Sequence, residues 1–422
     1  MKQPRRRIRY SGFTLIELMI SVVIGLLILL ALITLLVNVS RNNSEMSKTN
    51  QIIENGRFAL QLLQLETSHA GYWGGFIPQF DNLSLVAIPT DVPTAVPDPC
   101  LAFAAWNPAH VSNLIGIAVQ SYEIPSVVPS PTLPVCASRV TSPKANTDVL
   151  IVRSVESSAK CNPAISATSA VPACALPTEN QLYFQAALCG NTLPSPAYAL
   201  SPYSAANFAT NFPGKIRGSD CAATASSELR KFDSSLFYVR NFSVTPGDGI
   251  PTLMRSQFDL SGGVLEHKSA EALVDGVEGF RVELGIDNIS DAGTNTITGS
   301  DSAGTLNAAN LHIAAIRWAA TTPVNTSPTN RGDGIPDGSY VRCTTAVPCN
   351  PAQLRNVVAV KLYILVRSET PTPGYTDVKS YCLASSCTAA SDRMGPFNDG
   401  FKRHLFTQTI RLVNVSTRRE TP

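Results

Sequence analysis

No charge interrupts residues 18–37, and most of those side chains are Leu, Ile or Val. About 20 such residues are what an α-helix needs to cross the core of a bilayer. Past Asn38 the chain turns polar. Ile52, Ile53, Ala59, Leu60, Leu62, Leu63 and Leu65 then recur near helical spacing, with Glu54, Arg57, Gln61 and Glu66 between them. The pattern predicts that one helix continues, with a face fit to pack on a folded head. Gly71-Tyr72-Trp73-Gly74-Gly75 ends it. Residues 76–240 are rich in Pro, Ala, Ser and Thr, and Pro125, Pro129, Pro131 and Pro134 mark loops. Strand-like runs appear at 148–153, 181–187 and 236–241. The C-terminal part, 241–422, is more regular. Residues 279–286 alternate as a half-buried strand, 357–366 form a long apolar run broken by Lys361, and 404–413 alternate again. With 311–318 they predict an antiparallel sheet. The Gly- and Ser-rich stretch 290–310 reads as an exposed loop. The fold class is α+β, with a long N-terminal helix and a large β-rich head.

Composition adds a compartment. Hydrophobic residues make up 44% and charged residues only 15%, a balance that suits an exported chain. Five basic side chains (Lys2, Arg5, Arg6, Arg7 and Arg9) crowd the first twelve residues, which hold no acid; without them the net charge of +2 becomes −3. A mildly acidic remainder has no broad basic surface for nucleic acid. The basic leader stays cytoplasmic by the positive-inside rule, which puts the bulk of the chain outside the inner membrane. A secretory signal peptide fits poorly, because the apolar run is too long and no small-residue cleavage site follows it. Ten cysteines, all at or beyond Cys100, form an even set outside the membrane segment. That set fits disulfides in an oxidising compartment. The neighbours Cys343 with Cys349, and Cys382 with Cys387, are the expected pairs. Zinc is disfavoured because no His stands beside them.

Glu17 sharpens the reading of the apolar helix. An acid inside a membrane helix costs about 2.5–3.5 kcal/mol even on lenient scales, so it needs a partner. The run Gly12-Phe13-Thr14-Leu15-Ile16-Glu17 resembles the prepilin cleavage and methylation motif of type IV pilins and type II secretion pseudopilins. The resemblance implies a pilin-like fold and a substrate of prepilin peptidase. It implies a cut between Gly12 and Phe13 and methylation of the Phe13 amine. It also implies that Glu17 pairs with a pilin N-terminus inside a filament. The implied organisation is a leader at 1–12, a membrane half-helix at 13–37, an amphipathic half-helix at 38–75, an irregular Pro- and Cys-rich β region at 76–240 and a β-sheet region at 241–422. Major pilins often carry a proline in the membrane helix. None occurs here between Phe13 and Gly75, and Gly25 is the one weak point of that kind.

Further segments resemble the PilW-type minor pilins. They are Ile53-Glu54-Asn55-Gly56-Arg57-Phe58-Ala59-Leu60, Ala70-Gly71-Tyr72, Gly276-Val277-Glu278-Gly279, Gly332-Asp333-Gly334-Ile335-Pro336-Asp337, Asn356-Val357-Val358-Ala359-Val360, Leu365-Val366-Arg367 and Thr409-Ile410-Arg411-Leu412. That resemblance implies a large minor subunit at the tip of a type IV pilus. It would prime assembly with other minor and major pilins and support a tip adhesin, after a stay among inner-membrane lipids. A minor pseudopilin of a type II secretion system shares the motif and helix. A membrane-anchored periplasmic adhesin or hydrolase is a third reading.

Nothing else in the chain announces chemistry. Gly332-Asp333-Gly334-Ile335-Pro336-Asp337 resembles the tail of an Asp-rich calcium loop, with Asp333 and Asp337 as ligand candidates, and Gly247-Asp248-Gly249-Ile250-Pro251 echoes it. Arg331 stands where such loops place another acid, so a structural turn is the favoured reading. His69, His110, His267, His312 and His404 have no metal spacing. No Gly-x-Ser-x-Gly turn, Cys with a nearby His, or phosphate loop appears. No catalytic residue and no cofactor is implied, and assembly energy must come from another protein.

Overall fold

The computed structural model describes residues 12, 14–81, 91–125, 136, 138–160, 175–186, 197–212, 227–289 and 332–420. Phe13, the segments 290–310 and 311–318, and Cys161, Cys174, Cys189 and Cys221 lie outside them. The chain divides into two compact units, Met1–Gln51 and Ile52–Pro422. Helix α1, Leu15–Ser68, is unbroken through residue 51. Leu, Ile and Ala favour the helix, and its hydroxyls are answered locally: Ser21 Oγ donates to the Leu18 carbonyl and Thr34 Oγ1 to that of Ala31.

In the second unit α1 buries Ile52, Gly56, Ala59, Leu63 and Thr67, a stripe with steps of three and four. Gly56 is where it meets the head most closely. A Cβ there would overlap the Phe406 ring. Glu66 fixes the register further along, accepting from Arg255 Nη1 at 3.2 Å and Ser235 Oγ at 3.4 Å.

Beneath the helix lie two antiparallel sheets. The larger is built from β1 (Val119–Glu123), β2 (Asp148–Val155), β3 (Leu182–Ala186), β4 (Tyr198–Pro202), β5 (Arg230–Arg240), β6 (Thr252–Ser261), β7 (Val264–His267) and β8 (Glu271–Asp275). Its order is β1-β2-β5-β3-β4, and β6 pairs with β5, β7 and β8. The smaller sheet orders β13 (Arg403–Arg411), β10 (Val357–Arg367) and β9 (Val277–Ile286). A hairpin of β11 (Tyr381–Cys382) and β12 (Arg393–Met394) stands apart. Short helices are α2 (Pro108–Gly116), α3 (Phe208–Asn211), α4 (Pro351–Leu354) and α5 (Val413–Arg419). One apolar core joins the buried stripe of α1 to Val239, Leu253 and Val274 of the large sheet and to Phe280, Val282 and Ile364 of the small one. An aromatic core around Trp73, Phe76, Phe184 and Phe232 fills the space beside the turn that follows α1.

Two expectations from periodicity are corrected. β9 alternates in sequence, yet every position from Val277 to Ile286 is buried. Its polar face is covered too. Gly279 lies against Met394 and Leu383, and Gly285 against Pro336 and Tyr340. Glu283 accepts from Tyr363 Oη at 2.9 Å and from the Ser385 amide at 3.0 Å. The loop that carries Ser385 is closed by the Cys382–Cys387 disulfide. The second correction concerns residues 404–413: the strand stops at Arg411 and α5 begins at Val413. Leu412, Val415, Ser416 and Arg419 are buried at steps of three and four, which overrides the short alternation.

Charges fasten the two sheets together. Asp148 of β2 accepts from the Val282 amide of β9 at 2.9 Å. Arg342 holds the same carboxylate with Nη2–Oδ1 at 2.6 Å and Nε–Oδ2 at 3.0 Å. The two-point geometry fixes both position and angle. The Cys343–Cys349 disulfide begins one residue after Arg342, and Cys100–Cys136 is also bridged.

Asp233 of β5 supplies a pH test. Burial, then the nearby Glu66, push its carboxyl up to about 6 from 3.8. A raised acid stabilises the fold fully below the unfolded pKa, and this contribution is lost as pH rises through the folded one. Asp233→Asn is therefore expected to raise stability at pH 7 by about 1–3 kcal/mol and to flatten the slope between about pH 4 and pH 6. Denaturant titrations of both proteins across that window check it; an unchanged slope would refute the assignment.

Candidate assembly interface

The apolar half of α1 is exposed throughout. Leu15 is 79% accessible, Leu27 61% and Leu36 69%. By length and composition this helix can cross a membrane; its best 18-residue window has a mean hydropathy of 3.2. Such a surface is stable only in lipid or against other apolar rods.

At its start Thr14 caps the helix. The Thr14 amide and Oγ1 both donate to Glu17 Oε2, at 3.0 and 2.8 Å, and the Glu17 amide faces Thr14 Oγ1 at 3.4 Å. This reciprocal cap satisfies two end groups. Among the described residues both contacts fall on Oε2. Gly12, one residue before the expected cut, is exposed.

The Asp-rich loops read as turns. Asp248 accepts from the amides of Ser243, Val244, Thr245 and Ile250 at 2.9–3.1 Å, and these bonds hold its carboxyl down at about 2. Asp333 Oδ1 takes the Ile335 amide at 2.9 Å. Asp337 Oδ2 takes the amides of Asn288 and Ile289 at 2.9 and 2.7 Å. Asp248 and Asp333, which bond amides within five residues of themselves, are turn formers, whereas Asp337 ties its loop to residues 288 and 289. Among the described residues no three His, Cys, Asp or Glu gather as a metal site. Cys343–Cys349 and Cys382–Cys387 sit in the head, away from one another in sequence, and each closes a short loop.

Sequence reasoning missed the buried ionic groups. Arg403, Glu278 and Asp377 meet inside the head, although 125 residues separate Arg403 from Glu278. Periodicity carries no signal for such a contact. His267 is likewise buried between Ser234 and Ser256, and burial pushes it down to about 3.

An N-terminal apolar stretch of α1 with a reciprocal cap at Glu17, and a later stretch of the same helix packed on a disulfide-bearing antiparallel head, give a fold of the α+β class that resembles the pilins'. Residues 7–33 match the prokaryotic N-terminal methylation motif. Residues 236–414, from β5 into α5, match the family described as Type IV Pilus-assembly protein W. No curated protein matches the chain. Among solved structures it is similar to the Type IV-like pilin TTHA1219 from Thermus thermophilus, with 13% identity, 46% of this chain and 71% of that chain covered, and a TM-score of 0.23.

Proposed function

We propose that this chain is a minor subunit of a type IV pilus. It is made as a prepilin, held in the inner membrane by α1 with its head in the periplasm, and built into the filament with other pilins. Prepilin peptidase cuts between Gly12 and Phe13 and methylates the new amine. The observation that carries the reading is the methylation-motif match at 7–33 on a rod whose apolar side chains are all exposed. The freed ammonium of a neighbouring subunit needs an anion in an apolar bundle, and Glu17 needs a cation. The pairing sets the axial register of incoming subunits. The size of the head, Ile52–Pro422, favours the tip over a repeated shaft. There the subunit primes assembly and supports a tip adhesin.

Glu17→Ala is expected to leave membrane insertion intact and to cut incorporation into filaments severely. Immunoblots of sheared filaments against membrane fractions test this, and normal incorporation would remove the register role. Mass spectrometry of the mature protein tests processing separately; an intact leader would place the cut elsewhere. Co-purification with secretion pseudopilins in place of pilins would move the chain to a type II system.

A further inference from the structure

We infer that α5 is a strap that couples the 332–338 loop to the C-terminal end of α1. On one side it answers carbonyls of the turn that follows α1. Asn414 Nδ2 donates to the His69 and Ala70 carbonyls at 3.4 and 3.3 Å. Arg418 Nη1 donates to the Gly71 carbonyl at 2.9 Å, where a cation also suits the negative end of the helix dipole. Gly71 has φ +72°, and a Cβ there would come within 2.7 Å of Val415 Cγ2, so the turn is shaped to the strap.

The other side of α5 is keyed to the loop. Gly334 has φ +71°, and a Cβ would lie 2.6 Å from the Ser416 carbonyl oxygen. Asp287 Oδ2 accepts from the Gly334 amide and from Arg419 Nε, both at 3.0 Å. Arg419 also donates to the Asp287 carbonyl at 3.0 Å and to Asn356 Oδ1 at 2.8 Å. Arg418 Nε reaches Asp81 at 3.3 Å.

β2 holds different groups of the same turn. The Gly71 amide donates to the Arg153 carbonyl, and the Val155 amide to the Tyr72 carbonyl, both at 2.9 Å. The Ala70 and Gly71 carbonyls therefore depend on α5, the His69 carbonyl is shared between Asn414 and the Tyr72 amide at 3.1 Å, and the sheet anchors the Gly71 amide and the Tyr72 carbonyl. Displacing α5 from the loop side withdraws donors from the turn that follows α1 without touching that turn or the helix. The coupling is a property of the head and does not rest on the pilus reading.

Hydrogen exchange of the full-length protein in detergent micelles tests it. Gly334→Ala pushes a Cβ at the Ser416 carbonyl, and Asp287→Asn removes the charge that seats Arg419. Each is expected to speed exchange at residues 69–73 by about tenfold, as local opening does, while β5, β6 and β9 keep their protection. Arg418→Ala should reproduce the effect at 69–73 and leave 332–338 protected. Faster exchange confined to 332–338 and 413–419 would overturn the coupling. So would faster exchange spread evenly over the sheets, or an unchanged 69–73 segment in Arg418→Ala.

Discussion

Replacing Arg403 with alanine is expected to destabilise the head by about 3–5 kcal/mol, the cost of stranding buried charges. The Arg403 side chain has no solvent exposure, and neither does Asp377, while Glu278 keeps only 5%. Arg403 Nε meets Glu278 Oε2 at 2.5 Å, Nη1 meets Asp377 Oδ2 at 2.9 Å, and Nη1 and Nη2 meet the two oxygens of Asp399 at 2.6 and 2.7 Å. The guanidinium also lies 3.7 Å over the Phe397 ring. Truncation leaves Glu278 and Asp377 in a dry site without this cation. Lysine keeps the charge and loses the planar fork, so Arg403→Lys should fall between the two. Asp399 is one-third exposed, and its removal should cost far less because water replaces the lost partner. Denaturant unfolding of the three variants checks the ranking; equal losses for Arg403→Ala and Asp399→Ala would show that burial does not set the cost.

Trp73→Ala is expected to cost about 3–5 kcal/mol, the range for emptying a large aromatic site. Trp73 is 1% exposed and is the largest fully buried side chain among the described residues. Its ring lies parallel to Phe232 at 6.4 Å and tilted against Phe184 at 5.6 Å. It therefore ties the turn after α1 to β5 and β3. Trp73→Phe keeps the aromatic contacts with a smaller void and should recover most of the loss. Thermal midpoints read by near-ultraviolet circular dichroism check this pair. A midpoint unmoved by alanine would mean that the turn does not bear on the aromatic core.

The strands β2, β3, β9 and β10 are legible in the sequence because each is written in its own residues, as an alternation or an apolar run. β6, β7, β8 and α2 carry weaker local patterns, and sequence reasoning missed them. Burial on both faces of β9 was illegible for another reason. It depends on what the Cys382–Cys387 loop and residues 336–340 lay over the strand. Glu283 looks like a solvent-facing residue until Tyr363 and Ser385 answer it.

By itself the sequence determined the apolar rod, the cluster of basic residues before it, the acid at Glu17 and the amphipathic continuation. All are short-range patterns, in which a segment's chemistry dictates its solvent. Only the tertiary structure decided which carboxylates take Arg403, Arg342 and Arg419, how β5 gathers β2, β3 and β6 around it, and that residues 413–419 form a strap. Those choices pair groups far apart in the chain. The partner of a buried charge is set by which surfaces close over it, and no local pattern records that.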